Sequence, residues 1–364
     1  MTNFDTTKSA PYAHAANSVG RTMGLVMLAL VPATLFDFWL FGWPAIFLFA
    51  ITVGACVGIE ALCLRLAGKE VGFHLADGSA VLTGWLLAMS LPPWAPWWTG
   101  VVGALIAIGI TKQAYGGLGQ NLFNPAMVAR VALLVSFPVV MTTWVAPQAL
   151  FSPGAPGFAD GLAITLGAGV PDAMTSATPL GHVKTELSRG VSVLQSTLHL
   201  PDLSDRALGL RAGSLGETSA LLILAGGLLL IALRVISWHI PLALVAGLVL
   251  PAALAHQLDP ARHAGALFHL LSGATFLGAF FIATDYVTSP TTAAGKLLFG
   301  AGCGLLTWII RSYAGYPEGM AFAVLLMNAL TPIIDQYTRP RVFGRARSGQ
   351  PLVFTGKVGE GGQP

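Results

Sequence analysis

The chain has 364 residues, of which 54% are hydrophobic and only 10% are charged. Soluble domains carry about 25% charged residues, so this composition excludes an ordinary soluble protein and predicts a polytopic membrane protein. The net charge of +3 comes from scattered basic residues and gives no support for nucleic-acid binding. Three cysteines without a C-x-x-C pair exclude a four-cysteine cluster built by this chain alone, and we predict no metal site.

Stretches without charged residues predict an all-α protein with about ten transmembrane helices. The third and fourth helices are separated by Leu91-Pro92-Pro93, because prolines end helices. Several of the predicted helices are short for a bilayer, so we expect some to be broken or to span it incompletely. The predicted spans are 22–41, 44–66, 78–92, 97–112, 125–145, 217–234, 240–257, 265–285, 295–311 and 319–337.

Basic residues in the short loops predict the orientation, since cytoplasmic loops carry an excess of Lys and Arg. With a cytoplasmic N-terminus, the short outer loops hold only Arg262 and Arg311. Both termini are then cytoplasmic, and the long segment 146–216 is extracytoplasmic. The inner loops and tails hold Lys8, Arg21, Arg65, Lys69, Lys112, Arg234, Lys296, Arg339, Arg341, Arg345, Arg347 and Lys357.

A weak internal repeat divides the chain into two halves. The segment 78–84 and the segment 273–279 each belong to the third helix of a five-helix group. An odd number of helices per half requires the second half to insert inverted, and inverted repeats usually place a site at their interface. The predicted divisions are a cytoplasmic N-terminus 1–21, a first repeat 22–145, an outer segment 146–216, a second repeat 217–337 and a cytoplasmic tail 338–364.

Two polar stretches are candidates for chemistry. The outer segment contains Asp172-Ala173-Met174-Thr175-Ser176-Ala177-Thr178-Pro179, which by composition is a turn of small and hydroxyl-bearing residues closed by proline. A Gly-rich stretch from Lys112 to Ala126 contains Asn121 and Asn124, whose amides suit a planar heterocycle. The alternative for this stretch is a Gly-rich loop followed by an asparagine helix cap before Pro125.

Three carboxylates in or near apolar helices are candidates for an ion path, because buried acids are costly in a membrane. They are Asp37, Glu60 and Asp285. The alternative is that each lies near the interface or pairs with a base such as Arg65.

Several motifs in order resemble the D subunits of Rnf electron-transport complexes, which are related to the B subunit of sodium-pumping NADH:quinone oxidoreductase. The resemblance covers residues 15–345, and residues 172–178 are similar to the flavinylation motif Asp-x-x-Ser/Thr-Gly/Ser-Ala-Thr of that family. The other segments that carry it are 77–80, 112–126, 284–290 and 316–330.

The resemblance implies a membrane flavoprotein. FMN would be joined through its phosphate to Thr178 by a flavin transferase, with Asp172, Thr175, Ser176 and Ala177 completing the motif, and riboflavin would bind near Asn121 and Asn124. The implied complex also contains subunits of the A, B, C, E and G types and lies in the lipid of the bacterial inner membrane. It couples electron transfer between ferredoxin and NAD to Na⁺ or H⁺ translocation, and this chain alone has no complete catalytic site.

Two other classes of function remain open from the residues. A single Asn124-Pro125-Ala126 and Gly-rich, broken helices also suggest a channel for a small polar solute. A scaffold without redox activity is the third class. Both alternatives predict that Thr178 carries no flavin.

Overall fold

The computed structural model describes residues 18–168, 175–198, 200 and 202–340, and most of these are helical. The first part of the chain forms α1 (Val19–Leu66), α2 (Val71–Leu75), α3 (Ser79–Ser90), α4 (Trp97–Ala104, continued by a π-helix Leu105–Gln113), α5 (Pro125–Ser136), α6 (Pro138–Thr142) and strand β1 (Trp144–Val145).

The outer segment and the second part follow. They form α7 (Phe158–Ala163, continued by a π-helical turn Ile164–Ala168), strand β2 (Thr175–Ser176), α8 (Pro179–Ser188), α9 (Val193–Thr197), α10 (Leu203–Leu208), a 3₁₀ turn (Leu215–Glu217), α11 (Ala220–Ala232), α12 (His239–Leu258), α13 (Ala266–Leu271), α14 (Thr275–Leu277, continued by a π-helical turn Gly278–Ile282), α15 (Ala293–Tyr313) and α16 (Met320–Tyr337).

The prediction of a helical, polytopic membrane protein agrees with this architecture. Among the described residues, four helices are long and apolar enough to cross a membrane, namely α1, α12, α15 and α16. Shorter apolar helices, which include α3, α5 and α11, lie at other predicted spans. The count of ten spans and the inverted repeat therefore stay predictions.

Helix α1 contains two of the predicted spans, because the chain reverses direction at Gly42. Gly42 has φ +70° and ψ −157°, a conformation open almost only to glycine. The rings of Phe38 and Phe49 lie 5.2 Å apart across this reversal. In a straight helix, residues separated by that interval would be about 16 Å apart along the axis. The arms 19–41 and 43–66 therefore lie side by side.

Three expectations about secondary structure were wrong in detail. The span expected over 125–145 ends at Ser136 and restarts at Pro138, since proline cannot donate a helical hydrogen bond. The span expected over 265–285 is broken around Gly273, which has φ +67°. The protein is also not entirely α-helical, because Trp144 pairs with Ser176 in a two-stranded antiparallel sheet.

The two predicted halves of the chain contact each other at the start of α5. The Asn124 side chain donates to the carbonyl oxygen of Ile282 at 3.5 Å. The Asn328 amide of α16, oriented with its oxygen towards donors, accepts from the backbone N–H of Asn124 at 3.3 Å and from the Thr288 hydroxyl at 3.0 Å. These bonds place the Gly-rich loop before α5 against the second half of the chain.

Candidate functional site

Thr178 caps the N-terminus of α8. Its hydroxyl oxygen accepts from the backbone N–H of Gly181 at 3.1 Å, and its carbonyl oxygen accepts from that of His182 at 2.8 Å. Threonine followed by proline is a favourable start for a helix, because proline at the first position needs no hydrogen-bond acceptor. The candidate attachment residue is thus fixed at the positive end of a ten-residue helix.

Helix α8 is held to the rest of the protein by an apolar cluster and by one lysine. The buried cluster contains Leu180, Val183, Val193, Ala264 and Phe268. Lys184 donates to the carbonyl oxygens of Arg311 at 3.4 Å and Tyr316 at 2.9 Å, and also to that of Ala314. The helix that begins at Thr178 therefore packs against the end of α15.

The flavinylation-like motif is not only the turn that its composition predicts. Thr175 and Ser176 form β2, and Thr178 is only 6% exposed, whereas Ser176 and Ala177 are exposed. The capping hydrogen bond turns the Thr178 hydroxyl towards the helix. Asp172 lies outside the described residues, and of Thr175 only the backbone is described.

Asn121 and Asn124 are both buried at the entrance of α5. The Asn124 side-chain oxygen accepts from the Met127 N–H at 3.2 Å, so the expected helix cap is present. Asn121 donates to the carbonyl oxygen of Phe123 at 3.1 Å. The preceding loop uses φ values of +117°, +108° and +88° at Gly116, Gly117 and Gly119, which non-glycine residues rarely adopt.

Both asparagines also line a cavity, so the helix cap at Asn124 does not exclude a binding role for this stretch, which stays a prediction. The cavity has a volume of about 90 Å³, below the roughly 300–1,000 Å³ of most small-molecule sites, so a ligand the size of a flavin requires it to widen. Ser79, Lys112, Asn121 and Asn124 supply polar groups on one part of its wall. Its other lining residues include Leu82, Leu86, Phe280, Phe281, Asp285 and Tyr286.

A buried ion pair lies beside this cavity. Glu60 pairs with Lys112, whose Nζ lies 2.7 and 2.8 Å from its two carboxylate oxygens, and both side chains are nearly inaccessible. Lys112 also donates to the Ser79 hydroxyl at 2.6 Å, and Gln113 donates to Glu60 at 2.9 Å. The partner of Glu60 is thus Lys112 and not Arg65. The prediction of orientation treats Lys112 as a loop charge, but in the structure this residue is buried.

The other two candidate carboxylates lie in different surroundings. Asp285 lines the same cavity and accepts from the Val287 N–H and the Thr288 hydroxyl, each at 3.2 Å. Asp37 is buried and accepts from the Thr218 hydroxyl. The structure therefore brings Asp285 and the Glu60–Lys112 pair to one cavity and leaves Asp37 apart, while a role for any of them in an ion path stays a prediction.

A second buried ion pair was not predicted. Arg311, near the end of α15, pairs with Glu318 at 2.9 Å and donates to the Thr275 hydroxyl at 3.1 Å. The prediction of orientation from basic loop residues treats Arg311 as a loop charge, but Arg311 is only 5% exposed. Its position at the end of an apolar stretch, followed closely by an acid, was the available signal.

Comparisons with known proteins agree with the resemblance noted in the motifs. Residues 6–344 match the model of the NQR2, RnfD, RnfE family. The D subunit of the ion-translocating oxidoreductase complex from Stutzerimonas stutzeri is 55% identical over 338 residues, which are 93% of this chain and 95% of that protein. Proteins of the same name from Halorhodospira halophila and Escherichia coli are 52% and 46% identical, covering 94% and 93% of this chain and 97% and 98% of their own length.

Proposed function

The chain belongs to the NQR2, RnfD, RnfE family, and we propose that it is the D-type membrane subunit of an ion-translocating oxidoreductase complex that carries electrons through covalently bound FMN. The observation that carries the flavin proposal is the position of Thr178 at the start of α8. The helix places its positive end at the hydroxyl to which a phosphate would be joined. When bound, the flavin supplies a group that accepts and releases electrons.

Residues around Thr178 fit such an attachment. Ser176 and Ala177 are small and exposed, so they leave room for a phosphate and a ribityl chain. Since Thr178 itself is buried, a transferase requires the start of α8 to open, or acts before α8 packs against α15. Once α8 is in place, its apolar cluster and Lys184 hold the attachment point still relative to the membrane helices.

The test compares three variants in cells that express an exported flavin transferase. Thr178→Asn keeps a side-chain cap for α8 but lacks the nucleophilic hydroxyl, so we expect a stable protein with no covalent FMN. Thr178→Ser keeps both and should retain covalent FMN, and Ser176→Ala should also retain it. Flavin fluorescence of the denatured chain in a gel, with the mass of the peptide containing Thr178, measures the outcome.

The same experiment tests the proposed orientation. A transferase without its export signal should leave the chain dark, because we place residues 146–216 outside the cytoplasm. A fluorescent band from Thr178→Asn contradicts attachment at this residue. A dark wild-type band beside a flavinylated control protein contradicts the flavoprotein proposal and favours a channel or a scaffold.

We further propose that the cavity beside Asn121 and Asn124 binds riboflavin without a covalent bond. The rings of Phe280 and Phe281 and the two amides offer apolar contact and hydrogen bonds to a planar heterocycle. Lys112 also lines this cavity, where its ammonium group is bound by Glu60 and Ser79.

Variants of the two asparagines test this second site. Asn121→Leu combined with Asn124→Ser removes both amides, while the serine keeps an acceptor to cap α5. We expect flavin extractable by acid from the purified chain to fall to background, with covalent FMN on Thr178 unchanged. Asn124→Ser alone is the matched control for the cap. Unchanged extractable riboflavin in the double variant contradicts the proposal.

A further inference from the structure

Three buried arginines from separate parts of the chain, one of them in the outer segment, interact with Glu217, Glu318 or both. Arg130 of α5, Arg211 before the 3₁₀ turn and Arg311 of α15 are 7%, 4% and 5% exposed. Arg130 interacts electrostatically with Glu217 and Glu318, and Arg211 interacts with both carboxylates, with Arg311 and with the less buried Arg206. Three guanidinium groups therefore share two carboxylates.

This arginine cluster, Arg130, Arg211 and Arg311 with Glu217 and Glu318, has more donors than acceptors. Among the described residues, no hydrogen-bond partner exists for Nη1 of Arg130, Nη1 of Arg211 or Nε of Arg311. An unpaired buried donor costs about 1–3 kcal/mol, and more when it is charged. One surplus positive charge and three free N–H groups are the features of an anion site.

The cluster lies next to the segment that carries Thr178. The Arg130 guanidinium lies 6.0 Å from the centre of the Trp144 ring. Trp144 pairs with Ser176 across the two-stranded sheet, and Ser176 precedes Thr178 by two residues, which is at most about 7 Å of chain. On the other side, Lys184 of α8 binds the carbonyl oxygen of Arg311.

We propose that the arginine cluster binds the reduced isoalloxazine ring of the FMN attached to Thr178, an inference that rests on the proposed function. Two electrons and one proton convert the oxidised ring into an anion whose negative charge lies over N1 and the adjacent carbonyl group. Guanidinium N–H groups stabilise that anion more than the neutral oxidised ring, which raises the reduction potential. The ester bond fixes the phosphate at Thr178. The isoalloxazine ring, at the other end of the ribityl chain, is therefore the part of the FMN that reaches the arginines.

The test is a reductive titration, with dithionite as the electron donor, of the full chain carrying covalent FMN and with non-covalent flavin removed. In Arg130→Met, we expect the equilibrium between oxidised and reduced flavin to shift at least tenfold towards the oxidised form. A tenfold shift lowers the reduction potential of a two-electron couple by about 30 mV. Arg130→Gln, which keeps a buried donor but no charge, is the second variant should Arg130→Met not fold, and should shift it in the same direction. Arg262→Met removes an exposed outer arginine paired with Asp259 and should change nothing.

The outcomes separate the two proposals. A dark denatured band from the wild-type chain contradicts covalent FMN itself. A fluorescent band with an unchanged potential in Arg130→Gln, or an equal shift in Arg262→Met, overturns the role of the arginine cluster and leaves the attachment at Thr178 intact. Arg130→Lys, which keeps the charge, should preserve most of the wild-type potential.

Discussion

At the scale of single residues, the pair of Glu60 and Lys112 shows how a charge is tolerated inside an apolar helix bundle. Each carboxylate oxygen of Glu60 accepts from Lys112, and Gln113 and Ser79 complete the set of hydrogen bonds. The cost of desolvating both charges offsets most of their mutual attraction, so such a pair adds little to the free energy of unfolding. Removing one partner, however, leaves an uncompensated buried charge. The pair therefore constrains which single substitutions the protein accepts.

This asymmetry gives a prediction. Lys112→Met should lower the free energy of unfolding by about 3–5 kcal/mol, because Glu60 then lacks its counter-charge. Adding Glu60→Gln to that variant should restore much of the loss. Urea titration in mild detergent, followed by tryptophan fluorescence, measures each variant. Arg262→Met, which breaks an exposed pair, should change stability by no more than about 1 kcal/mol; a double variant less stable than Lys112→Met would contradict this explanation.

Sequence reasoning was most successful where a residue's role is local. The helix cap at Asn124 could be predicted from Asn before Pro, since both partners are a few residues away. The partner of Glu60 could not, because Lys112 is distant in sequence and Arg65 is closer. Burial of Thr178 was missed for the same reason, since it depends on how α8 packs against α9 and α15.

At the scale of elements, the reversal at Gly42 decides the path of the first two membrane segments. The backbone there has φ +70°, and a Cβ atom at this position would find ample space, its closest neighbour being a Leu150 methyl at 3.7 Å. Any cost of a side chain is therefore backbone strain and not a clash. Pro44, two residues later, favours the start of the second arm.

Gly42→Ala should destabilise the protein by about 1–3 kcal/mol, the usual cost of forcing a non-glycine residue into such a conformation. Gly54→Ala is the matched control, because Gly54 is helical, exposed and without neighbours around its Cβ position. Gly54→Ala should leave the free energy of unfolding unchanged or raise it slightly, since alanine has a higher helix propensity than glycine. The same urea titration compares them, and equal stability of the two variants would show that the reversal does not need glycine.

Helix positions could be predicted from apolar stretches alone, but helix ends and breaks could not. The break around Gly273, which has φ +67°, lies within what reads as continuous apolar sequence. The strand pair of Trp144 and Ser176 joins segments on either side of α7, so neither strand has a local pattern long enough to predict it.

At the scale of the whole molecule, the basic residues of the two ion pairs occupy corresponding places in the predicted halves. In the first, Lys112 near the end of the fourth helix binds Ser79, the first residue of the third. In the second, Arg311 near the end of α15 binds Thr275, the first residue of α14. A glycine with positive φ precedes each of those third helices, Gly78 and Gly273. These shared positions add to the sequence similarity between the segments 78–84 and 273–279 on which the predicted repeat is based.

The Glu60–Lys112 pair also has a consequence for how the chain is made. Synthesis delivers Glu60 to the membrane before Lys112 has been translated, so the acid first meets lipid without its partner. A lone charge at the centre of a helix adds about 2.5–3.5 kcal/mol to the free energy of insertion, and less near the surface. The second arm of α1 is thus expected to settle fully only after the fourth helix arrives, which couples two segments of the nascent chain during biogenesis.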